Sequence, residues 1–354
     1  MNLYSQFFNG KHVLVTGHTG FIGTWLTKSL VMLGSKVCGY SLDPCTDPNL
    51  FDALNLSEQI IDCRADILDR KKLENMILEF KPEIVFHLAS QPIVLEAYDN
   101  PFTTFETNVT GTVNILDILR RTDSIKVIIV MTSDKAYHNN EWPYPYREID
   151  PLGGKDPYSA SKSCQDIVVT SFRDSYFEKL GVAVSSVRAG NIIGGGDWSK
   201  YRIIPDLVRG IVSNKSVNLR NPDSTRPWQY ILNPLLGLLE LTKAMWIDPR
   251  YSGGWNFGPD SVEQPSVKEL VEAFIEYWGS GSYREENSST YKESSLLKLD
   301  SSKARELLHW RSSISLSDGL KKSVEWYKTY YYNQDSIIDF TESQLKTFFN
   351  TELK

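Results

Sequence analysis

Three glycines at three-residue spacing constrain this chain more than any other feature. They lie in Val13-Leu14-Val15-Thr16-Gly17-His18-Thr19-Gly20-Phe21-Ile22-Gly23, where an apolar run gives way to an amphipathic one. The pattern predicts a buried strand, a tight turn and a helix start. Glycine suits such a turn because the backbone must bend sharply and let a pyrophosphate approach closely, with the new helix N-terminus aimed at that anion. Gly17, Thr19, Gly20, Phe21, Ile22 and Gly23 are therefore candidate cofactor residues. Asp43 follows the next apolar run, twenty residues beyond Gly23. A carboxylate there binds a ribose 2′-hydroxyl and repels a 2′-phosphate, and no Arg stands close to it in sequence. NAD is the expected cofactor rather than NADP. Asp66 and Ile67 follow another strand-like run and are placed at the adenine edge.

The rest of the first half repeats this alternation. Apolar runs at 12–17, 36–42, 83–89, 126–133 and 183–190 read as strands buried on both faces. Amphipathic segments near 21–33, 69–80, 102–121 and 157–180 separate them. Strand–helix repetition predicts an α/β fold of Rossmann type, a doubly wound parallel sheet. After Asn191 the pattern shifts to helical pieces near 205–213, 234–246, 267–278 and 316–330, with an exposed loop expected over 279–295. The expected organisation is a dinucleotide-binding domain over 1–190 and a smaller mixed α/β substrate cap over 191–354, with part of the later chain returning to the sheet.

Composition narrows the class. With 38 basic and 44 acidic residues the net charge is −6, and no basic run offers a footprint for nucleic acid. No segment approaches the ~18 consecutive apolar residues of a membrane span. The four cysteines form no Cys-x-x-Cys pair and no His stands at zinc-site spacing, so reduced thiols and no metal are expected. With no secretory pattern at residues 1–11, these features predict a cytoplasmic protein without nucleic-acid or membrane partners.

Tyr158 and Lys162 stand four apart in a helical segment and so share a face. A Lys ammonium near a phenol favours the phenolate, which can take a proton from a hydroxyl. By itself Tyr-x-x-x-Lys is common. Here Ser133 ends a predicted strand 25 residues earlier, where open parallel sheets bind ligands, and its hydroxyl can bond the same reacting oxygen.

On these motifs the chain resembles the extended short-chain dehydrogenase/reductase superfamily. Within it, the chain is similar to the CDP-glucose 4,6-dehydratase family. The runs that carry this include Ile84-Val85-Phe86-His87-Leu88-Ala89, Thr132-Ser133-Asp134-Lys135, Asp156-Pro157-Tyr158-Ser159 and Arg188-Ala189-Gly190-Asn191. Gly194-Gly195-Gly196-Asp197-Trp198, Arg226-Pro227-Trp228-Gln229 and Trp255-Asn256-Phe257-Gly258-Pro259 extend it. The resemblance implies oxidation of a nucleotide sugar at C4, loss of water across C5–C6 and return of hydride to C6. It makes Asp134 the acid for the leaving 6-hydroxyl and Lys135 the base at C5, and burial would keep Asp134 protonated. It adds Leu88, Ala89, Ser90 and Asn108 to the cofactor set, and Gln91, Asn191, Arg202, Arg226 and Asn256 to the substrate set. It also implies a homodimer formed through the helices near 102–121 and 157–180.

The alternatives are a nucleotide-sugar epimerase or 4-dehydrogenase, which would not lose water, and a non-catalytic dinucleotide sensor, which would not need Ser133, Tyr158 and Lys162. Two departures stand out. The family's Phe-Lys-Gly-Ser is Phe21-Ile22-Gly23-Thr24 here, and its Gln-Pro-Leu-Val-Arg is Gln91-Pro92-Ile93-Val94-Leu95 followed by Glu96. The second leaves the choice of nucleotide and sugar open.

Overall fold

The computed structural model describes residues 3–259, 264–286 and 296–351. Its centre is a parallel sheet of seven strands. These are β1 (His12–Thr16), β2 (Lys36–Ser41), β3 (Ile61–Arg64), β4 (Ile84–His87), β5 (Val127–Met131), β6 (Ala183–Ala189) and β7 (Gly253–Phe257). Their order across the sheet is β7-β6-β5-β4-β1-β2-β3. The chain runs outward from β1 to β3, then returns to the other side of β1 as β4. That reversal opens a crevice above the C-terminal strand ends.

Side-chain alternation explains why the runs are continuously apolar. Val13, Val15, Phe86 and Ile129 enter one core, covered by the helices Phe21–Met32 and Leu232–Ile247. Leu14, Val85, Ile128 and Val130 enter a second core on the opposite face, under Arg70–Phe80, Gly111–Leu119 and Pro157–Phe172. Successive strand residues point to opposite sides, so a strand covered on both sides must be apolar throughout.

The predicted strands appear within a residue or two of their expected limits, and the structure adds four findings. First, residues 102–121 and 157–180 each contain a turn wound to π geometry, Glu106–Thr110 and Arg173–Phe177. In the first, Thr112 Oγ1 donates to the Asn108 carbonyl at 2.7 Å. Second, β7 comes from the later chain and pairs with β6, setting Trp255 beside Val187. Third, the helix Ile337–Thr351 packs back on the first half: Phe349 meets Tyr4, and Glu342 pairs with Lys28 at 2.8 Å. Fourth, the loop expected over 279–295 contains the strand Tyr283–Glu285, paired with Val217–Leu219; residues 287–295 lie outside the described residues. The segment after residue 191 therefore supplies the cap helices Ile203–Val212 and Val267–Trp278, and also completes the sheet domain. Among the described residues no helix is long and apolar enough to cross a membrane.

Candidate active site

A cleft of about 730 Å³ opens over the strand ends, between the glycine turn and the cap. Gly17 has φ +74°, and a Cβ there would lie 2.7 Å from the Ala89 nitrogen. A Cβ at Gly23 would lie 2.0 Å from the Gly17 carbonyl oxygen. The protein's own packing demands both glycines. Gly20 differs: a Cβ there would meet nothing nearer than 3.4 Å, and the residue lines the cleft. No side chain caps the helix that starts at Phe21. Its first N–H groups are left for an anion, and the bare backbone at Gly20 lets that anion come close. The cradle fits the pyrophosphate of the expected dinucleotide.

Thr19, Phe21, Ile22, Asp66, Ile67, Leu88, Ala89 and Ser90 line the same cleft, as expected. Asp43 lines its rim, 88% exposed, and the sequence reading of its surroundings needs correction. Arg64 Nη1 lies 3.5 Å from Asp43 Oδ1. Parallel pairing of β2 with β3 brings the two ends together across a span that sequence proximity does not reveal. Asn108 is corrected too. It is buried behind the wall, where its Oδ1 accepts from the Gln91 N–H and its Nδ2 donates to Ser161 Oγ at 2.8 Å. The Gln91 side chain donates to Thr104 Oγ1 at 2.9 Å and accepts from the Ile93 N–H. Neither residue is among those lining the cleft. Both hold the loop that forms the wall.

Ser133 lies two residues beyond β5 and caps the short turn Asp134–Ala136. Its Oγ donates to Asp134 Oδ1 at 3.0 Å and accepts from the Lys135 N–H at 3.2 Å. Ser163 Oγ donates to the Ala136 carbonyl at 2.7 Å, docking this turn on the helix Pro157–Phe172. Asp156 caps that helix by accepting from the Ser159 N–H. Tyr158 is buried beside Ser133 and Asp134, and all three line the cleft with Lys135 and Lys162.

Burial pushes the Tyr158 phenol up to about 12; the hydrogen bond with Ser133 acts in the opposite direction. Burial also raises Asp134 above the ordinary carboxylate value, against the pull of Lys135. Asp134 Oδ2 is buried without a hydrogen-bond partner. A protonated carboxyl there can donate to whatever occupies the cleft.

Lys162 corrects the expected pairing. Its Nζ turns beneath β5, to the Met131 carbonyl at 3.4 Å and Gln165 Oε1 at 3.0 Å. The groups that act most on Tyr158 besides burial are Ser133, Asp134 and Arg202. Shared helix face does not imply contact, because a lysine stem is long enough to follow another acceptor. Burial lowers Lys162 to about 7, with Asp166 opposing. Gln165 passes the network to Thr112, and Thr112 to His87. Burial holds His87 down at about 3, so its imidazole is neutral. Thr112 has already given its proton to the Asn108 carbonyl and therefore accepts from His87 Nε2, leaving Nδ1 to accept from Thr16 Oγ1 at 2.7 Å.

The Lys162 shift predicts a pH dependence of stability. Its folded value lies below its unfolded one, so between about 7 and the ordinary lysine value the unfolded chain binds more protons. Stability then rises with pH across that window, with a slope of up to about 1.4 kcal/mol per pH unit. Melting curves of the nucleotide-free protein between pH 7 and 9 should rise relative to Lys162→Met. Parallel curves would mean that Lys162 is not strongly shifted.

On the cap side, Asn191, Arg202 and Arg226 line the cleft. Arg202 donates to Asp197 at 3.2 Å, and Arg226 to the Thr225 carbonyl at 2.9 Å. Trp228 joins them, buried, with its indole nitrogen unpartnered. Asn256 does not. It is fully buried in β7, where Nδ2 donates to the Tyr146 and Asp300 carbonyls and Oδ1 accepts from Tyr137. The motif match was real, but the side chain clamps a loop to the sheet edge. Asn256→Ala is expected to cost about 2–4 kcal/mol in stability, because it strands buried polar groups. Substrate KM should stay unchanged in the folded fraction. A rise in KM without a lower melting temperature would restore the binding assignment.

Sequence reading missed Arg220, Asn218 and Asn221, which line the cleft beside Arg226. They flank the end of Val217–Leu219, a strand too short to stand out by periodicity. Arg202, Arg220 and Arg226 all line the cleft, and guanidinium forks are chemically suited to a diphosphate. The Leu95-Glu96 departure also resolves. Ile93, Val94 and Leu95 line the cleft, whereas Glu96 is exposed and accepts from Asn100 Nδ2 at 2.8 Å. The family's cation is thus replaced by an apolar wall, not by a carboxylate.

The GDP-mannose 4,6 dehydratase family model matches residues 14–252. The CDP-glucose 4,6-dehydratase of Salmonella typhimurium is 44% identical over 340 residues, covering 94% of this chain and 95% of that one. The UDP-glucose 4-epimerase of Mycolicibacterium smegmatis is 26% identical, covering 89% of this chain and 98% of its own. Among solved structures, dTDP-glucose 4,6-dehydratase from Bacillus anthracis in complex with NAD superposes with a TM-score of 0.75 at 20% identity, over 94% of this chain and all of that one. That likeness carries the fold. The family match and the Salmonella relative carry more: this chain belongs to the GDP-mannose 4,6 dehydratase family.

Proposed function

We propose that the chain is an NAD-dependent CDP-glucose 4,6-dehydratase, forming CDP-4-keto-6-deoxyglucose. The observation that carries this is the Ser133–Lys135 turn docked on the Tyr158 helix, which sets a buried carboxyl with an unpartnered oxygen beside the phenol. An epimerase needs the phenol but has no use for a buried acid next to it. The nucleotide and sugar come from the 44% relative.

NAD held at the Gly17–Gly23 turn would supply the hydride acceptor for sugar C4 and the hydride donor for C6. Tyr158 removes the 4-hydroxyl proton, and Ser133 hydrogen-bonds the same oxygen as it becomes a ketone. The ketone acidifies C5–H. Lys135 takes that proton, and Asp134 protonates the departing 6-hydroxyl. Arg202, Arg220 and Arg226 hold the diphosphate, and Lys162 secures the cofactor side. The working unit is a homodimer built on the two long helices. In support, Phe102 on the first helix is 73% exposed, and Ile167, Tyr176 and Leu180 on the second are exposed as well. Four free cysteines accord with a reducing cytoplasm.

The test is mass spectrometry of the enzyme with NAD and, separately, CDP-glucose, UDP-glucose, dTDP-glucose, GDP-mannose and UDP-N-acetylglucosamine. Loss of one water from CDP-glucose is expected. Loss from another sugar would keep the reaction and change the substrate. Isomerisation without water loss would mean an epimerase.

A further inference from the structure

Beneath the cleft lie two buried charges that the chemistry leaves unused, Asp166 and Arg188. Asp166 stands on the helix that carries Tyr158, and Arg188 on β6. Arg188 grips the carboxylate with two nitrogens, Nε to Oδ2 at 2.7 Å and Nη2 to Oδ1 at 2.8 Å. Ser186 Oγ donates to Oδ1 at 2.8 Å, and Thr132 Oγ1 to Oδ2 at 3.1 Å. Four donors fill the roughly four acceptor positions of a carboxylate, so Asp166 is fixed in place.

These bonds hold the flanks of the turn that carries Asp134 and Lys135. Thr132 immediately precedes Ser133. On the other side Tyr137 follows Ala136, and its hydroxyl accepts from Arg188 Nη1 at 2.8 Å while donating to Asn256 Oδ1 at 2.7 Å. Both flanks of the turn therefore end on one ion pair, and that pair is rooted in the Tyr158 helix. Ser163 of the same helix ties the turn a third time, at the Ala136 carbonyl. Burying an ion pair returns about what its desolvation costs, so stability is a weak reason to keep one. A fixed geometry is what this pair provides.

We propose that Asp166 and Arg188 are positioning residues for the elimination step: they hold Asp134 and Lys135 in register with Tyr158. The consequence is selective. C4 oxidation depends on Tyr158, which the helix carries itself. Water loss depends on two side chains of a short turn that reaches the helix through this pair and Ser163. Loosening the flanks should slow water loss more than oxidation. This rests on the dehydratase reading of the cleft.

The test uses the enzyme with NAD and CDP-glucose. Asp166→Asn would strand the Arg188 charge and endanger the fold, so the neutral ties are cut instead, in Thr132→Val, Tyr137→Phe and the double variant. Each single change should lower water loss about tenfold and the double about a hundredfold. Oxidation would then run ahead of elimination, so the near-ultraviolet absorbance of bound reduced nicotinamide should rise during turnover. Substrate KM and NAD affinity should stay close to wild type. Thr132→Ser keeps the hydroxyl and should keep wild-type water loss and absorbance. Unchanged water loss in the double variant would overturn the inference. So would oxidation and water loss falling in equal proportion, with or without a lower melting temperature. A wild type that loses no water would overturn the dehydratase reading and this inference with it; wild-type water loss matched by the variants would overturn the inference alone. If the double variant fails to fold, the single variants decide by the same ratio.

Discussion

Tyr158→Phe should lower turnover by about three orders of magnitude, within the roughly 10²–10⁴ that a positioned acid–base group contributes. NAD affinity and melting temperature should stay close to wild type. The ring is buried and Phe preserves its volume, so only the hydroxyl is lost. That hydroxyl stands beside Ser133, just beyond β5, and burial holds its proton tightly, up to about 12. The sign of the pH effect follows. The base form becomes more abundant as pH rises, so C4 oxidation should increase on the alkaline side until the bound phenol is ionised. The Ser133 hydrogen bond and the Arg202 charge act against that burial, while the Lys162 Nζ is turned to the Met131 carbonyl. Measurements of kcat against pH for wild type and Tyr158→Phe check this. A variant within tenfold of wild type would remove Tyr158 from the chemistry.

How much of this was legible beforehand depends on what each residue's role requires. Gly17 and Gly23 could be read because their demands are local: a positive φ and a helix start too close to the turn for any Cβ. The sheet was legible because strands covered on both faces have no choice but apolar residues. β7 was not, since its two leading glycines and Asn256 break the run, and its place beside β6 is set by packing over a long separation. The Asp43–Arg64 pair was hidden for the same reason: the contact exists only because β2 and β3 are neighbours.

The motifs located the site better than they assigned tasks within it. Ser133, Asp134, Lys135 and Tyr158 come together on the cleft wall because a strand end and a helix start must both face the crevice. Asn108, Gln91 and Asn256 were assigned to the site by the same resemblance but face inward, holding the wall or clamping a loop. A residue that binds and one that supports a binding loop leave the same mark in a sequence pattern. Only direction separates them, and direction is a property of packing.

Asp134→Asn should separate the two halves of the reaction. Water loss from CDP-glucose should fall by about 10²–10⁴-fold, while exchange of the C5 proton with solvent deuterium continues. One oxygen of the Asp134 carboxyl accepts from Ser133, and the other is buried without a partner. An ionised carboxylate left in that state is costly, so burial raises Asp134 above its ordinary value and keeps the proton on. An amide of the same shape can donate a hydrogen bond but cannot deliver a proton to the departing 6-hydroxyl. Tyr158 and Lys135 are untouched, so ketone formation and C5 deprotonation go on and deuterium enters recovered substrate. Lys135→Met should abolish both exchange and water loss. In wild type, the elimination step should decline toward alkaline pH as Asp134 ionises, opposite to the Tyr158 trend. Stability gives an independent check. Because the folded value is raised, the native state holds a proton that the unfolded chain releases, and stability falls as pH rises through that window. The Asn variant escapes that loss, so at neutral pH its melting temperature should equal or exceed that of wild type. Loss of activity with a preserved melting temperature and preserved C5 exchange assigns the acid to Asp134. Water loss within tenfold of wild type would assign it elsewhere.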